Sequence, residues 1–291
     1  MAIKSGINPT NRPPSLNVEV NWDEIEKRYQ EEKRNDKLNF LIYGRTGTGK
    51  SHLISTCPKP VLVHSFDPGG TKTLNRFKDK ELIKDGFRHI EYFLDTRFEK
   101  DDANKPTAYK LWEQEVNRLY EKGMFNNIGT YVIDSGTNWL KAQMSEILRQ
   151  EKRPGEPTQI QDWGTQLGFA VQALNAMCNL PCNFVLIGHI MVKEDKVDGR
   201  NHSYLFTQGE KIKTLIPLNF DEVYILDAKE CSKTTDPEGV QRELIVKITG
   251  KHDARSRMQM KEGRMAPDLR AILKAGGYPY EDKPLPKVKL S

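Results

Sequence analysis

Long apolar runs are missing from this 291-residue sequence. Stretches such as Phe184-Val185-Leu186-Ile187 end after four or five residues, against the roughly 20 that cross a bilayer, so no membrane segment is expected. The opening Met1-Ala2-Ile3-Lys4-Ser5-Gly6 carries no apolar core of the kind found in secretory leaders, and a cytoplasmic location is the expectation. Cysteine is scarce: Cys57, Cys178, Cys182 and Cys231 are too few and too scattered for a disulfide framework. Cys178 and Cys182 flank Pro181 without a second ligand pair nearby, and read as buried thiols rather than a metal site. No charge of one sign dominates either. The 45 Lys and Arg against 40 Asp and Glu leave +5, which permits contact with nucleic acid without requiring it. No internal repeat is present, which argues against a solenoid. The length suits one large α/β domain with appendages.

What the sequence does hold is Gly44-Arg45-Thr46-Gly47-Thr48-Gly49-Lys50-Ser51, directly after the apolar run Asn39-Phe40-Leu41-Ile42-Tyr43. A buried strand, a glycine-rich turn and a helix start form the context that a G-x-x-x-x-G-K-[ST] phosphate loop requires. Glycines let the backbone curl so that successive N–H groups, and the positive end of the helix that continues through His52, face an anionic polyphosphate. Lys50 adds a positive charge at the terminal phosphates, and the Ser51 hydroxyl can complete a magnesium shell. The pattern points to nucleoside triphosphate binding with Mg2+.

Three downstream strands offer polar residues at their carboxyl ends, the edge where ligands sit in open α/β sheets. Val61-Leu62-Val63-His64-Ser65-Phe66-Asp67 ends before Pro68-Gly69-Gly70, so Asp67 either holds and deprotonates the attacking water or simply forms a turn. Thr130-Tyr131-Val132-Ile133-Asp134-Ser135 is an apolar strand delivering an aspartate at its tip, the Walker B pattern, in which Asp134 joins Ser51 in holding the metal's shell. Asn183-Phe184-Val185-Leu186-Ile187-Gly188-His189 places His189 where it either senses the γ-phosphate or serves as a structural histidine.

Helical periodicity covers about 106–122, 137–150 and 162–179, the last with Trp163, Leu167, Ala170, Val171, Leu174 and Cys178 on one side. Residues 1–36 read as a proline-containing arm and a charged helix bearing Trp22, Ile25 and Tyr29, packed on its own domain or docked on a neighbouring subunit. Residues 37–275 form the core, and 276–291 a basic tail expected to be mobile. The segment 191–214 is polar and aperiodic, and reads as an irregular loop that is either functional or disordered. Strands are expected over 221–227 and 242–248. Residues 251–264 hold five basic side chains against two acidic ones, a local +3. That cluster is a solvated face, a contact to a DNA backbone, or a trans-acting arginine finger supplied by Arg255 or Arg257.

Taken in order, the phosphate loop, Phe66-Asp67-Pro68-Gly69-Gly70, Tyr131-Val132-Ile133-Asp134-Ser135, the Asp162-Trp163-Gly164 helix and Leu186-Ile187-Gly188-His189 resemble phage-type P-loop ATPases with a RecA-like core, a group that includes the Sak-type single-strand annealing recombinases. The likeness spans about Leu38 to Asp268. It implies a mostly parallel sheet with helices on both faces and antiparallel strands added at its C-terminal side. It implies ATP and Mg2+ as cofactors, with Lys50 and Ser51 on phosphate and metal, Asp134 as Walker B and His189 as sensor. Single-stranded DNA binding, assembly into rings or filaments, and the cytoplasm of a host cell follow from the same likeness. One departure is an aspartate, Asp67, where such enzymes usually carry a glutamate base. The shorter side chain raises the prospect of slow hydrolysis or another base. A nucleotide-switched loader or packaging adaptor and a small-molecule or nucleoside kinase remain as alternatives.

Overall fold

A computed structural model describes residues 22–23, 37–70, 72–78, 82–84, 86–194, 201–207, 209–234, 238–249, 252–258 and 260–289. The arm and, beyond Trp22 and Asp23, the charged helix lie outside the described residues, as do Lys196, Arg200 and Lys251. Two units divide the chain, Met1–Asp36 and Lys37–Ser291. The following concerns the second.

Strand β1 (Asn39–Gly44) leads into helix α1 (Lys50–Leu53), which tightens into a 3₁₀ turn at Ile54–Thr56 before β2 (Val61–Ser65). Helix α2 (Lys72–Lys78), the short strands β3 (Leu82–Lys84) and β4 (Phe87–His89), and β5 (Tyr92–Asp95) precede helix α3 (Ala108–Glu121). Next come β6 (Thr130–Asp134), α4 (Gly136–Gln150), α5 (Ile160–Cys178), β7 (Asn183–Glu194), β8 (Asn201–Leu205) and α6 (Glu210–Leu215). The chain continues with β9 (Glu222–Glu230), β10 (Val240–Ile245), β11 (Arg255–Ser256), β12 (Arg264–Met265), α7 (Leu269–Ala275) and β13 (Lys287–Lys289).

A ten-stranded sheet dominates. Its central strands, in the order β9-β1-β7-β6-β2-β5, are all parallel. Antiparallel β10 and β12 extend it past β9, β11 also pairs with β9, and β8 pairs with β7. Strands β1, β2 and β6 are buried along their whole length, as strands covered on both faces must be, hence their unbroken apolar sequence. Alternate side chains serve opposite faces. Leu41, Tyr43, Tyr131, Ile133, Phe184 and Leu186 join Trp112 of α3, Trp139 of α4 and Leu174 of α5 in one core. Phe40, Ile42, Val132, Val185 and Ile187 join Leu53, Ile54 and, from α7, Leu269, Ile272 and Leu273 in the other.

Four expectations need correction. The sensor strand does not stop at His189; β7 runs on to Glu194 and forms a hairpin with β8, so the segment after it is not irregular throughout. Backbone pairing of Ile190 with Leu205 through Glu194 with Asn201 satisfies polar groups that side-chain periodicity cannot reveal. In α5 the fully buried residues are Asp162, Gln166, Ala170, Leu174 and Met177; Leu167 and Cys178 are partly buried and pack against the same core, and Trp163 is half-buried, so the expected side is met in part and its buried centre includes two polar residues. Two polar residues can be buried there because each is satisfied: Asp162 accepts from Arg153 at 2.7 Å and from the Gln159 N–H at 2.7 Å, and Gln166 donates to the Leu140 carbonyl at 2.7 Å. The second core strand at the C-terminal side is Val240–Ile245, not 242–248. Finally, the tail is held. Lys283 N–H donates to Lys59 O at 2.8 Å, Ile90 N–H to Pro286 O at 2.9 Å, and β13 pairs with β4, which with β3 makes a small antiparallel sheet. Cys182 is buried and Cys178 half-buried, both as free thiols, and burial pushes each thiol up to about 12. Among the described residues no helix is long and apolar enough to cross a membrane.

Candidate functional site

Strand register brings the polar tips together. Gly44 pairs with His189 across β1 and β7, Asp134 pairs with Ile187 across β6 and β7, and Ser65 pairs with Asp134 across β2 and β6. The beginning of the glycine loop, Asp134, His189 and the turn holding Asp67 therefore meet at one edge of the sheet.

The loop itself runs from the end of β1 into α1. A Cβ at Gly44 would stand 2.4 Å from the Leu226 carbonyl oxygen, so only glycine fits where β1 turns away. Thr48 Oγ1 donates to Arg45 O at 2.9 Å and braces the curl. Lys50 Nζ turns back onto the loop and donates to Gly44 O at 2.9 Å and Arg45 O at 2.8 Å. The ammonium thus satisfies itself on carbonyls inside the cradle that its charge is suited to serve for an anion. Its burial lowers the Lys50 pKa, with Asp134 and then Asp67 opposing.

Ser51 Oγ donates to Asp134 Oδ2 at 2.8 Å. Burial of Asp134, 3% exposed, raises its carboxyl to about 6, against the Ser51 hydrogen bond and the Lys50 charge; Asp67 and Glu99 push it the same way as burial. A hydroxyl and a carboxylate joined in this way are hard oxygen donors beside a polyphosphate cradle, and these residues fit Mg2+.

Asp67 is held from several directions. The N–H groups of Phe66 and Asp67 both donate to Asp134 O, at 2.6 and 3.2 Å, and Asp67 Oδ1 accepts from Asn138 Nδ2 at 2.5 Å. Its Oδ2 lies 3.9 Å from His189 Nε2. Glu99 clamps the turn on either side of Asp67: one carboxylate oxygen accepts from Ser65 Oγ at 2.7 Å, the other from the Gly69 N–H at 3.0 Å. His189 is half-buried, and burial, helped by the Lys50 charge, lowers its pKa while Asp67 opposes. Its N–H donates to Thr137 Oγ1 at 3.2 Å, and its carbonyl accepts from the Phe206 N–H at 2.7 Å, which ties the strand tip to the segment after β8.

Arg255 and Arg257 are not brought to this edge. They pair with and follow the amino-terminal end of β9 (Arg255 with Val223, Ser256 with Glu222), the opposite end of the sheet from the loop. Arg255 Nη2 donates to the Pro217 and Phe220 carbonyls at 2.7 Å each, within its own chain. Arg257 has a 57% exposed side chain paired with Asp221 at 2.8 Å.

Two residues of this site escaped the sequence. Asn138 stands in the first turn of α4, immediately after the Asp134 strand, and that adjacency was a usable signal. Glu99 follows β5, which lies beside β2 only in the folded sheet, and nothing in its local pattern announces it.

A family model described as AAA domain matches residues 36–258, most of the chain. No curated protein matches. Among solved structures, an ATPase from the type III secretion system of pathogenic bacteria is similar at 12% identity and TM-score 0.38, over 70% of this chain and 55% of that one, so this chain spans about half its length. The flagellar accessory protein FlaH from Methanocaldococcus jannaschii is similar at 12% identity and TM-score 0.35, over 84% of this chain and 90% of that one.

Proposed function

The chain belongs to the AAA domain family and is a P-loop ATPase, and from that premise we propose that it binds Mg·ATP on the 44–52 loop and couples hydrolysis to the handling of single-stranded DNA. One observation carries the nucleotide assignment: the Ser51 hydroxyl and the buried Asp134 carboxylate are joined at 2.8 Å, beside a lysine folded onto its own loop. In this reading the loop N–H groups and the start of α1 take the phosphates, and Lys50 exchanges its two carbonyls for phosphate oxygens. Ser51 and Asp134 hold the magnesium, which when bound neutralises charge on the transferring phosphoryl group. Asp67, oriented by Asn138, positions the attacking water and takes its proton. His189 donates a hydrogen bond to the terminal phosphate, and its backbone link to Phe206 passes that state to the hairpin.

The DNA part rests on the resemblance to Sak-type recombinases and on the surface beyond His189. Lys193 and Lys211 are exposed there, Phe206 is 41% exposed, and Lys213 Nζ lies 4.7 Å from the Tyr204 ring centre. Cations beside rings are the ingredients of a sequence-tolerant single-strand surface. Self-assembly into a ring or filament, with Arg257 reaching a neighbour's nucleotide, belongs to the same proposal. A nucleotide switch with little turnover is the second reading, favoured by the short Asp67 side chain already engaged by Asn138.

ATP turnover measured with and without single-stranded DNA separates the readings. Stimulation by DNA supports the recombinase, turnover that needs a small acceptor supports a kinase, and tight binding without turnover supports the switch.

A further inference from the structure

Strand β10 approaches the nucleotide loop from the antiparallel side of the sheet, a direction that none of the roles above uses. Leu226 is level with Gly44 at the end of β1 and pairs with Leu244 of β10. Arg242 pairs with Ala228, two residues further along β9, which carries it past the end of β1 and beside the loop. Arg242 and Leu244 share a face, and Leu244 belongs to the core that holds Leu53 and Ile54, so Arg242 lies on the side where α1 begins. The approach is close: a Cβ at Gly49 would stand 3.2 Å from Arg242 Cδ and 3.3 Å from its Nε. Gly49, at φ +97°, thus gives the loop its left-handed turn and also leaves room for the arginine stem.

The guanidinium is held lightly. Arg242 Nη1 donates to Glu238 Oε2 at 2.8 Å, with the two side chains 30% and 69% exposed. An exposed pair of this kind is weak, whereas a phosphate matches the guanidinium fork with two parallel hydrogen bonds and carries more charge. We propose that Arg242 is a nucleotide-binding residue supplied in cis: when a nucleotide occupies the loop, its guanidinium leaves Glu238 and closes on a phosphate next to the start of α1. The proposal deepens the nucleotide reading and rests on it. It places a positive charge opposite Lys50 across the loop, on a strand outside the glycine motif, and it makes Glu238 a competitor that holds the arginine back in the empty protein.

Equilibrium binding of Mg·ADP and Mg·ATP to the full chain tests this with Arg242→Ala, Arg242→Lys and Glu238→Gln. Arg242→Ala is expected to weaken binding by about tenfold with an unchanged melting temperature, since the Glu238 carboxylate it leaves is exposed. Arg242→Lys keeps the charge but loses the fork and recovers part of the loss. Glu238→Gln removes the competitor and tightens binding severalfold, an effect that a purely structural ion pair does not produce. If wild type binds and Arg242→Ala binds equally well, or if Glu238→Gln weakens binding as much as Arg242→Ala does, the proposal is overturned while the nucleotide reading stands. If wild type binds no magnesium nucleotide, both fall together.

Discussion

The Ser51 hydroxyl reaches the Asp134 carboxylate at 2.8 Å across a full strand, because β7 lies between β1 and β6 in the sheet. Residues 83 positions apart in sequence are joined because the loop leaves β1 level with His189, where Gly44 pairs with it, and carries Ser51 across β7 to the end of β6. That single hydrogen bond ties the anion cradle to the strand that carries the carboxylate.

The cost of burying this carboxylate can be measured. Asp134 titrates near 6 when folded and near 3.8 when unfolded, so the folded, ligand-free protein binds more protons between these values. The stability contributed by this raised carboxyl is present below about 3.8 and lost as pH rises through about 6. Asp134→Asn is therefore expected to raise the stability of the ligand-free protein above pH 6 by on the order of 2 kcal/mol, while removing magnesium-dependent nucleotide binding. Chemical denaturation at pH 7.5 checks the first part; a variant less stable than wild type would show that burial does not strain this carboxylate.

Asn138 orients Asp67 through a 2.5 Å hydrogen bond. Removing the amide leaves the carboxylate free to rotate, which costs placement rather than binding. Asn138→Ala should lower turnover by roughly 10- to 100-fold with nucleotide affinity nearly unchanged, and single-turnover kinetics beside a binding titration would detect the split. Equal losses in both would assign Asn138 to nucleotide binding instead.

The two arginines of the basic cluster should part company. Arg255→Ala strands the Pro217 and Phe220 carbonyls and is expected to cost about 2 to 4 kcal/mol of stability. Arg257→Ala should leave stability within about 0.5 kcal/mol and abolish any rise of specific turnover with protein concentration. A wild-type rate per subunit that is constant on dilution would contradict the trans role of Arg257.

His64 supplies a pH signature with the opposite sign to Asp134. It is fully buried between Tyr131 and Phe98, its Nδ1 is 3.0 Å from Tyr131 Oη, and its Nε2 has no hydrogen-bond partner among the described residues. Burial lowers its pKa to about 4, with Asp95 and Glu115 opposing and Arg97 assisting. A base depressed on folding favours the folded state above its unfolded pKa of about 6.5, and that contribution is lost as pH falls toward 4. Denaturation of the Asp134→Asn protein between pH 7 and 4.5, where the Asp134 contribution is gone, should show falling stability that His64→Phe abolishes. A flat profile would place a proton acceptor near His64 Nε2.

The parallel core and the loop were legible because buried strands write themselves as apolar runs, and because a glycine-built cradle needs a fixed spacing. Asp67 and Asp134 were legible as residues at strand ends for the same reason, and His189 as the polar residue after an apolar run. The hairpin after His189 was not, since β8 is short and polar and exists through backbone pairing with β7. Glu99 and Arg242 were hidden for a related cause: one follows β5 and the other lies on β10, strands whose place in the sheet is decided by long-range register. In the basic cluster the sequence announces charge but not the Pro217 and Phe220 carbonyls that Arg255 engages.

Calorimetric titration of the full chain with ATP, with and without Mg2+, shows whether the 44–52 loop with Asp134 is a magnesium-nucleotide site. Wild type is expected to bind ATP in a magnesium-dependent way, and Lys50→Ala and Asp134→Asn each to lose that binding by tenfold or more while still melting cooperatively. Binding that ignores magnesium, or variants that bind as wild type does, would contradict that assignment.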